Sequence, residues 1–206
     1  MRADAKKNYD HLLTVAREVV AEQGAGASLR DIARRAEVGL GTLYRHFPTR
    51  EDLLAALLRE SFDAMTAKAA TLVDATAPDM ALLSWFREMV LLAQQSSGVT
   101  SIMMAAIEEP GSALHASCVS MKSAGAQLLQ RAQAAGLARG DIDGADLFAL
   151  VGALAWMGDQ PSLAQRSSRL LEVIAGALLV HPPPVRPPPV RPPPVRPPPV
   201  RPPPAD

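Results

Sequence analysis

The sequence holds one cysteine, Cys118, in 206 residues. A single thiol builds no internal disulfide framework, which fits a reducing compartment. Aromatic residues make up only 4%. Runs of β-branched residues are scarce, and alanine and leucine dominate instead, which favours helices over sheet. No apolar run reaches the length of a membrane span, because Gly, Asp or Arg breaks the longest ones. The N-terminus is polar and has no signal-peptide apolar segment. These absences point to the cytoplasm and to no membrane partner. The formal net charge is zero, which argues against bulk attraction to nucleic acid but leaves room for a local basic patch. No Gly-rich phosphate loop, Ser/His/Asp set or paired catalytic carboxylates stand out. Enzyme chemistry therefore has no support, and no cofactor is indicated.

What is present is 48% apolar side chains, enough for one sizeable core or one core with a small satellite. From Tyr9 to Gln23, Leu12, Leu13, Val15, Ala16, Val19 and Val20 fall on one side of a helix. Gly24 ends it. Ser28 precedes a second apolar rhythm, with Asp31 three residues on as an acidic capping box. Leu29, Ile32, Ala33 and Ala36 form the inner face there, and Arg30, Arg34 and Arg35 point away. After the tight link Glu37–Val38–Gly39 comes a short helix over 40–47. Leu40, Leu43, Tyr44 and Phe47 cluster on one side, and Gly41, Thr42, Arg45 and His46 lie on the other, with Tyr44 near the boundary. Pro48 stops it. Thr49 caps the next helix, with Asp52 closing a second box.

Two short helices joined by a three- or four-residue turn, the second with donors outward, describe a helix-turn-helix. Its second helix must suit a major groove only ~12 Å wide. Between Ser28 and Arg50 the arginines 30, 34, 35, 45 and 50 face only Asp31 and Glu37, so this segment is locally basic. Tyr44 and His46 can donate to phosphate, and Arg50 opens the following helix within reach of the backbone. Helix N-termini attract phosphate, and Ser28 and Thr49 each open one. Arg34 and Arg35 read as solvated.

The stretch RDIARRAEVGLGTLYRHFPTREDLL, preceded by an apolar helix ending in AEQG, resembles the DNA-binding domain of the tetracycline-repressor (TetR) family of bacterial transcriptional regulators. The resemblance spans Leu12 to Leu54. A weaker likeness to a C-terminal subgroup covers AAGLARGDIDGADL. The resemblance implies phosphate contacts from Tyr44, His46 and Arg50, and base-approaching positions at Arg30, Leu40, Gly41 and Thr42, with Arg45 beside them. Leu40 there would meet a thymine methyl. Family members often carry glycine where Glu37 stands. A non-glycine residue at positive φ costs ~1 kcal/mol or more, so a slightly different turn is expected. Members often have serine at the Gly39 cap, where glycine costs only a few tenths of a kcal/mol.

Further along, helices are expected over 50–72, 80–95, 112–135, 144–157 and 161–180, with Gly98 and Pro110–Gly111 as punctuation. Asp143 is the expected N-cap of the fourth of these. Trp85, Phe86, Met89, Met103, Met104 and Met121 suit plain core. The resemblance implies an apolar effector cavity, which these six would line. Phe148, Val151, Leu154 and Ala155, then Leu170, Leu171, Ile174 and Leu178, give the last two helices apolar residues on more than one face, which implies a partner. The resemblance implies that the same two helices of a second subunit cover them. His115 and Cys118 stand three apart, a spacing metal ligands use. Only Glu108 and Glu109 lie near as further ligands, so a packed histidine and a buried thiol are the reading, with no metal.

The last 25 residues are PPPVR four times and then PPPAD. Proline lacks an N–H, so polyproline II is the default. The tail could extend roughly 80 Å at ~3.1 Å per residue. The expected organisation is all-α: a three-helix DNA-binding unit over 1–52, a helical effector-binding and dimerisation domain over 53–181, and a disordered proline-rich tail over 182–206. The expected function is a ligand-responsive homodimeric regulator, a repressor released from a palindromic operator in double-stranded DNA by a small molecule. The rival is an interaction protein whose PPPVR tail recruits a partner.

Overall fold

Capping residues, glycines and prolines place the helix ends. The computed structural model describes residues 2–75 and 77–180; the PPPVR tail expected over 182–206 lies outside them. Nine α-helices occur among the described residues: α1 Arg2–Gln23, α2 Leu29–Arg35, α3 Leu40–His46, α4 Arg50–Ala75, α5 Pro78–Gln95, α6 Ser97–Glu108, α7 Ala113–Ala134, α8 Gly144–Asp159 and α9 Ala164–Ala177. A 3-10 turn over Gly24–Gly26 follows α1, with Gly24 at φ 74°. No strand forms in the described part; the only pairing outside helices is an isolated antiparallel bridge between Ala138 and Leu179. None of the described helices is long and apolar enough to cross a membrane.

The caps divide into two kinds. Thr49 and Asp52 form the expected box: the Thr49 N–H donates to Asp52 Oδ2 at 2.9 Å and the Asp52 N–H to Thr49 Oγ1 at 3.1 Å. Asp143 and Asp146 do the same at α8. The expected box at Ser28 does not form, since its side chain makes no cap bond. Asp31 is drawn away by Gln23 and Arg34, whose side chains donate to it. These partners, Arg34 first, hold the Asp31 carboxyl below its ordinary pKa.

Helix α1 begins at Arg2, before the expected Tyr9. Helix α6 is a whole element that the glycine at 98 concealed. The last helix starts at Ala164, not Pro161, and stops at Ala177. There the chain turns so that the Arg139 N–H donates to the Leu178 carbonyl and the Val180 N–H to the Leu137 carbonyl, each at 3.0 Å.

The head is α1 to α3 with the start of α4. Leu12, Leu13, Ala16 and Val19 of α1, Ile32 and Ala33 of α2, Leu43 of α3, and Leu53 and Leu54 of α4 are buried in one core. Helix α4 continues without a break into the body, so the residue 52/53 division falls in its first turn. In the body, α5 is central and packs on α4, α6, α7, α8 and α9. Ala81, Leu82, Leu83, Trp85, Phe86, Met89 and Val90 are buried on it, covering more than one face. Pro78 sits at its first position, where the missing N–H costs nothing.

Candidate nucleic-acid interface

The turn between α2 and α3 sets the angle of the presented helix. Helix α2 ends in a Schellman motif: the Glu37 N–H donates to the Arg34 carbonyl at 3.2 Å and the Val38 N–H to the Ala33 carbonyl at 3.0 Å. This motif places Glu37 at φ 54°, the left-handed region that glycine favours. The turn is therefore not altered, as the glutamate suggested; it keeps its geometry and carries the strain. Gly39 caps α3 through its backbone alone, with no side chain to help.

Helix α3 anchors through Leu43 and Phe47, both buried, and half-buried Leu40. Tyr44, near the boundary of the two faces, is 45% exposed. His46 is the reverse, half-buried with its ring 5.8 Å from that of Tyr9 in an edge-on pair. Tyr9 also packs on Phe47 at 5.2 Å. The Tyr9 role was not anticipated, although Tyr9 is in register with Leu12, Leu13 and Ala16 as a core-facing residue of α1. His11 Nε2 lies 3.2 Å from the Ala36 carbonyl and ties α1 to the end of α2.

The fold brings Ser28, Arg30, Tyr44 and Arg50 around one shallow groove of about 320 Å³, with Leu29 and Glu51 completing it. Arg45 and Gly41 are exposed on α3, and Thr42 is half-buried beside them. Thr49 is exposed, but its hydroxyl is engaged with Asp52 at 2.7 Å. His46 stands apart, in a separate cleft with Tyr9, Phe47, Asp52 and Arg59.

Charge within the head is sorted. Arg34 pairs with Asp31, and Arg35 with Glu22 at 2.8 Å and Asp31 at 3.4 Å. Glu22 is the main reason the Arg35 guanidinium is held above its ordinary pKa. Among the described residues, Arg30, Arg45 and Arg50 have no carboxylate partner. Such a surface offers unneutralised cations and hydroxyls on one side of a small helix, the requirement for holding a phosphate backbone.

Most of the body residues singled out by the sequence are enclosed. Trp85, Phe86, Met89, Met103 and Met121 are buried in the core, and Met104 is 42% exposed. The Trp85 indole N–H donates to the Met65 carbonyl at 2.9 Å and its ring packs edge-on to Phe148. None of the six lines the clefts found between α1, α4 and α5 or between α7 and α8. Two adjoining clefts, about 100 and 420 Å³, share Arg17, Ser61, Leu92 and Gln95. Val151, Leu154, Ala155, Leu171 and Leu178 face the subunit's own core, because α8 packs on α5 and α9 on α8. Phe148, Leu170 and Ile174 are half-buried. On α8 and α9 the large apolar side chains left outward are Trp156, 60% exposed, and Val173, 59% exposed. His115 Nδ1 lies 2.8 Å from the Ile107 carbonyl, and Cys118 is buried, which pushes its thiol up.

Comparison with known proteins agrees with this architecture. Residues 12–57 match the family described as bacterial regulatory proteins, tetR family, and residues 77–179 match the transcriptional regulator SbtR-like C-terminal domain. An HTH-type transcriptional regulator of Staphylococcus aureus (strain USA300) is 36% identical over 64 residues, 31% of this chain. That match spans 35% of the relative's own length. A TetR transcription regulatory protein from Mycobacterium vanbaalenii is similar over 87% of this chain and 99% of its own, at 33% identity and a TM-score of 0.65. A TetR transcriptional regulator from Streptomyces coelicolor covers 82% of this chain and 97% of its own, at 34% identity and a TM-score of 0.66. With a helix-turn-helix head and a helical body both matched, the chain belongs to the TetR family of DNA-binding bacterial transcriptional regulators.

Proposed function

We propose that the protein is a homodimeric repressor that reads a palindromic operator and is released from it by a small molecule. The observation that carries the reading is the groove of Ser28, Arg30, Tyr44 and Arg50 beside the exposed face of α3. Tyr44 and Arg50 hold phosphate, His46 supports the end of α3 near the backbone, and Arg30, Leu40, Gly41 and Thr42 approach bases. The head over 1–52 and the body over 53–181 act as separate functional units joined by α4.

A second copy covers the outward faces of α8 and α9. On α8 the exposed residues Ala149, Gly152, Ala153 and Trp156 form one line. A Cβ at Gly152 would meet nothing within 4 Å. Glycine inside a helix costs roughly 0.5–1 kcal/mol, so a glycine with no internal role fits close approach from outside. Val173 of α9, flanked by Leu170 and Ile174, extends this face. The adjoining clefts between α1, α4 and α5 suit the effector, because Arg17 and Val20 of the head and Leu92 of the body line them together. A ligand there changes the angle between head and body and so the spacing of two heads.

Selection of binding sites from random duplex DNA with the purified full chain tests the reading. A recovered consensus with two-fold symmetry supports it. Recovery of unrelated sequences, with binding that only follows salt, contradicts it.

A further inference from the structure

Helix α3 buries one stripe: Leu43 and Phe47 inside, Leu40 half-buried beside them. At about 100° per residue, Arg45 lies almost diametrically opposite that stripe, with Gly41 and Thr42 on either side. Arg45 and Gly41 are exposed. Arg45 Nη2 donates to Thr42 Oγ1 at 3.0 Å. Residues three apart share a helix face, so this bond runs along the outward surface of α3. The arginines 34 and 35 of α2 are held by carboxylates. Arg45 has none among the described residues, so its charge and its remaining N–H donors stay available while one hydroxyl fixes where it lies.

We propose that Arg45 determines specificity by reading the O6/N7 edge of one guanine in each half-site, and that Thr42 is its positioning residue. This rests on the operator-reading function proposed above. In the major groove, guanine presents two acceptors side by side, which the guanidinium fork meets with two donors. Phosphates flank the groove and are reached from the edges of an inserted helix, whereas its outermost line meets the base edges. Arg45 is on that line. Gly41 adds room beside it. A Cβ at Gly41 would meet nothing within 4 Å, so no internal packing calls for glycine. The bare backbone lets α3 sit close to the bases, within reach of the Arg45 fork.

The test is site selection from random DNA with the full chain as wild type, Arg45→Ala, Arg45→Lys and Thr42→Val. Wild type is expected to require one guanine per half-site that Arg45→Ala no longer requires. Arg45→Ala should lose about tenfold to a hundredfold on the wild-type site and far less on non-specific duplex, with circular dichroism reporting an intact fold. Arg45→Lys keeps the charge without the fork and should lose most of the guanine preference. Thr42→Val should loosen the same position. Replacing that guanine by 7-deazaguanine, which lacks the N7 acceptor, should weaken wild type and leave Arg45→Ala unchanged. If Arg45→Ala selects the unchanged consensus and its salt dependence falls by about one unit of slope, Arg45 is a phosphate contact and the proposal is overturned. A wild type that selects no consensus removes the operator-reading function itself, a different failure.

Discussion

Gly125 of α7 lies against the edge of the Trp85 six-membered ring so closely that a Cβ there would stand 2.4 Å from Cη2 of the indole. Phe148 closes the same spot from α8, 3.2 Å from that Cβ position. The indole cannot yield easily, since it is fully buried and its N–H is bonded to the Met65 carbonyl. Gly125→Ala is therefore expected to destabilise the protein by about 1–3 kcal/mol, the range for overpacking a filled core. Denaturant unfolding measures it. An unchanged midpoint would mean that the core around Trp85 has slack.

The strained turn gives a prediction of opposite sign. Glu37 and Gly136 occupy the same place in two Schellman motifs, at the ends of α2 and α7, with φ 54° and 68°. Only one of them is glycine. Glu37→Gly should stabilise the head by about 1 kcal/mol, visible as a raised unfolding midpoint, and leave DNA affinity unchanged. A loss of stability would show that the Glu37 side chain contributes more than its backbone costs.

Trp156→Glu should give a folded monomer, because the side chain is exposed and leaves no cavity. Replacing Leu171 by Glu should unfold the subunit instead, since Leu171 is enclosed between α9 and the core. Sedimentation with circular dichroism separates the two results. Removal of residues 182–206 should leave a dimer. A dimeric Trp156→Glu protein would move the interface away from this face.

In the loop before α8, the Arg139 guanidinium holds the Asp141 carboxyl down to about 2 through two bonds of 2.6 Å. A carboxylate with a lowered folded-state pKa contributes stability that is fully present above its ordinary value near 3.9 and is lost as pH falls towards 2. Both side chains are exposed, so the effect is small. Asp141→Asn should flatten the fall in stability between about pH 4 and pH 2, followed by thermal unfolding across that range.

The sequence revealed features whose signals are local. The Thr49–Asp52 box and the Asp143 cap needed only residues within one turn, and both formed. The Ser28 box had the same spacing, but Gln23, eight residues from Asp31, competed for the carboxylate. Helical periodicity showed that Leu154 and Leu171 are covered, yet it cannot distinguish cover by the same chain from cover by a partner. Within one subunit both are buried, while Trp156 is exposed. His46 lies half-buried for a similar reason: the ring of Tyr9, 37 residues upstream in the numbering, packs on the histidine.

The central claim, that two copies of this head read one operator, is tested most directly by a hydroxyl-radical footprint of the full chain on its selected site. Two protected segments on one face of the duplex, related by two-fold symmetry and spaced by one helical turn of about 34–36 Å or a multiple of it, are the expected result. A single protected segment, or even protection along the whole fragment that fades with salt, would contradict it.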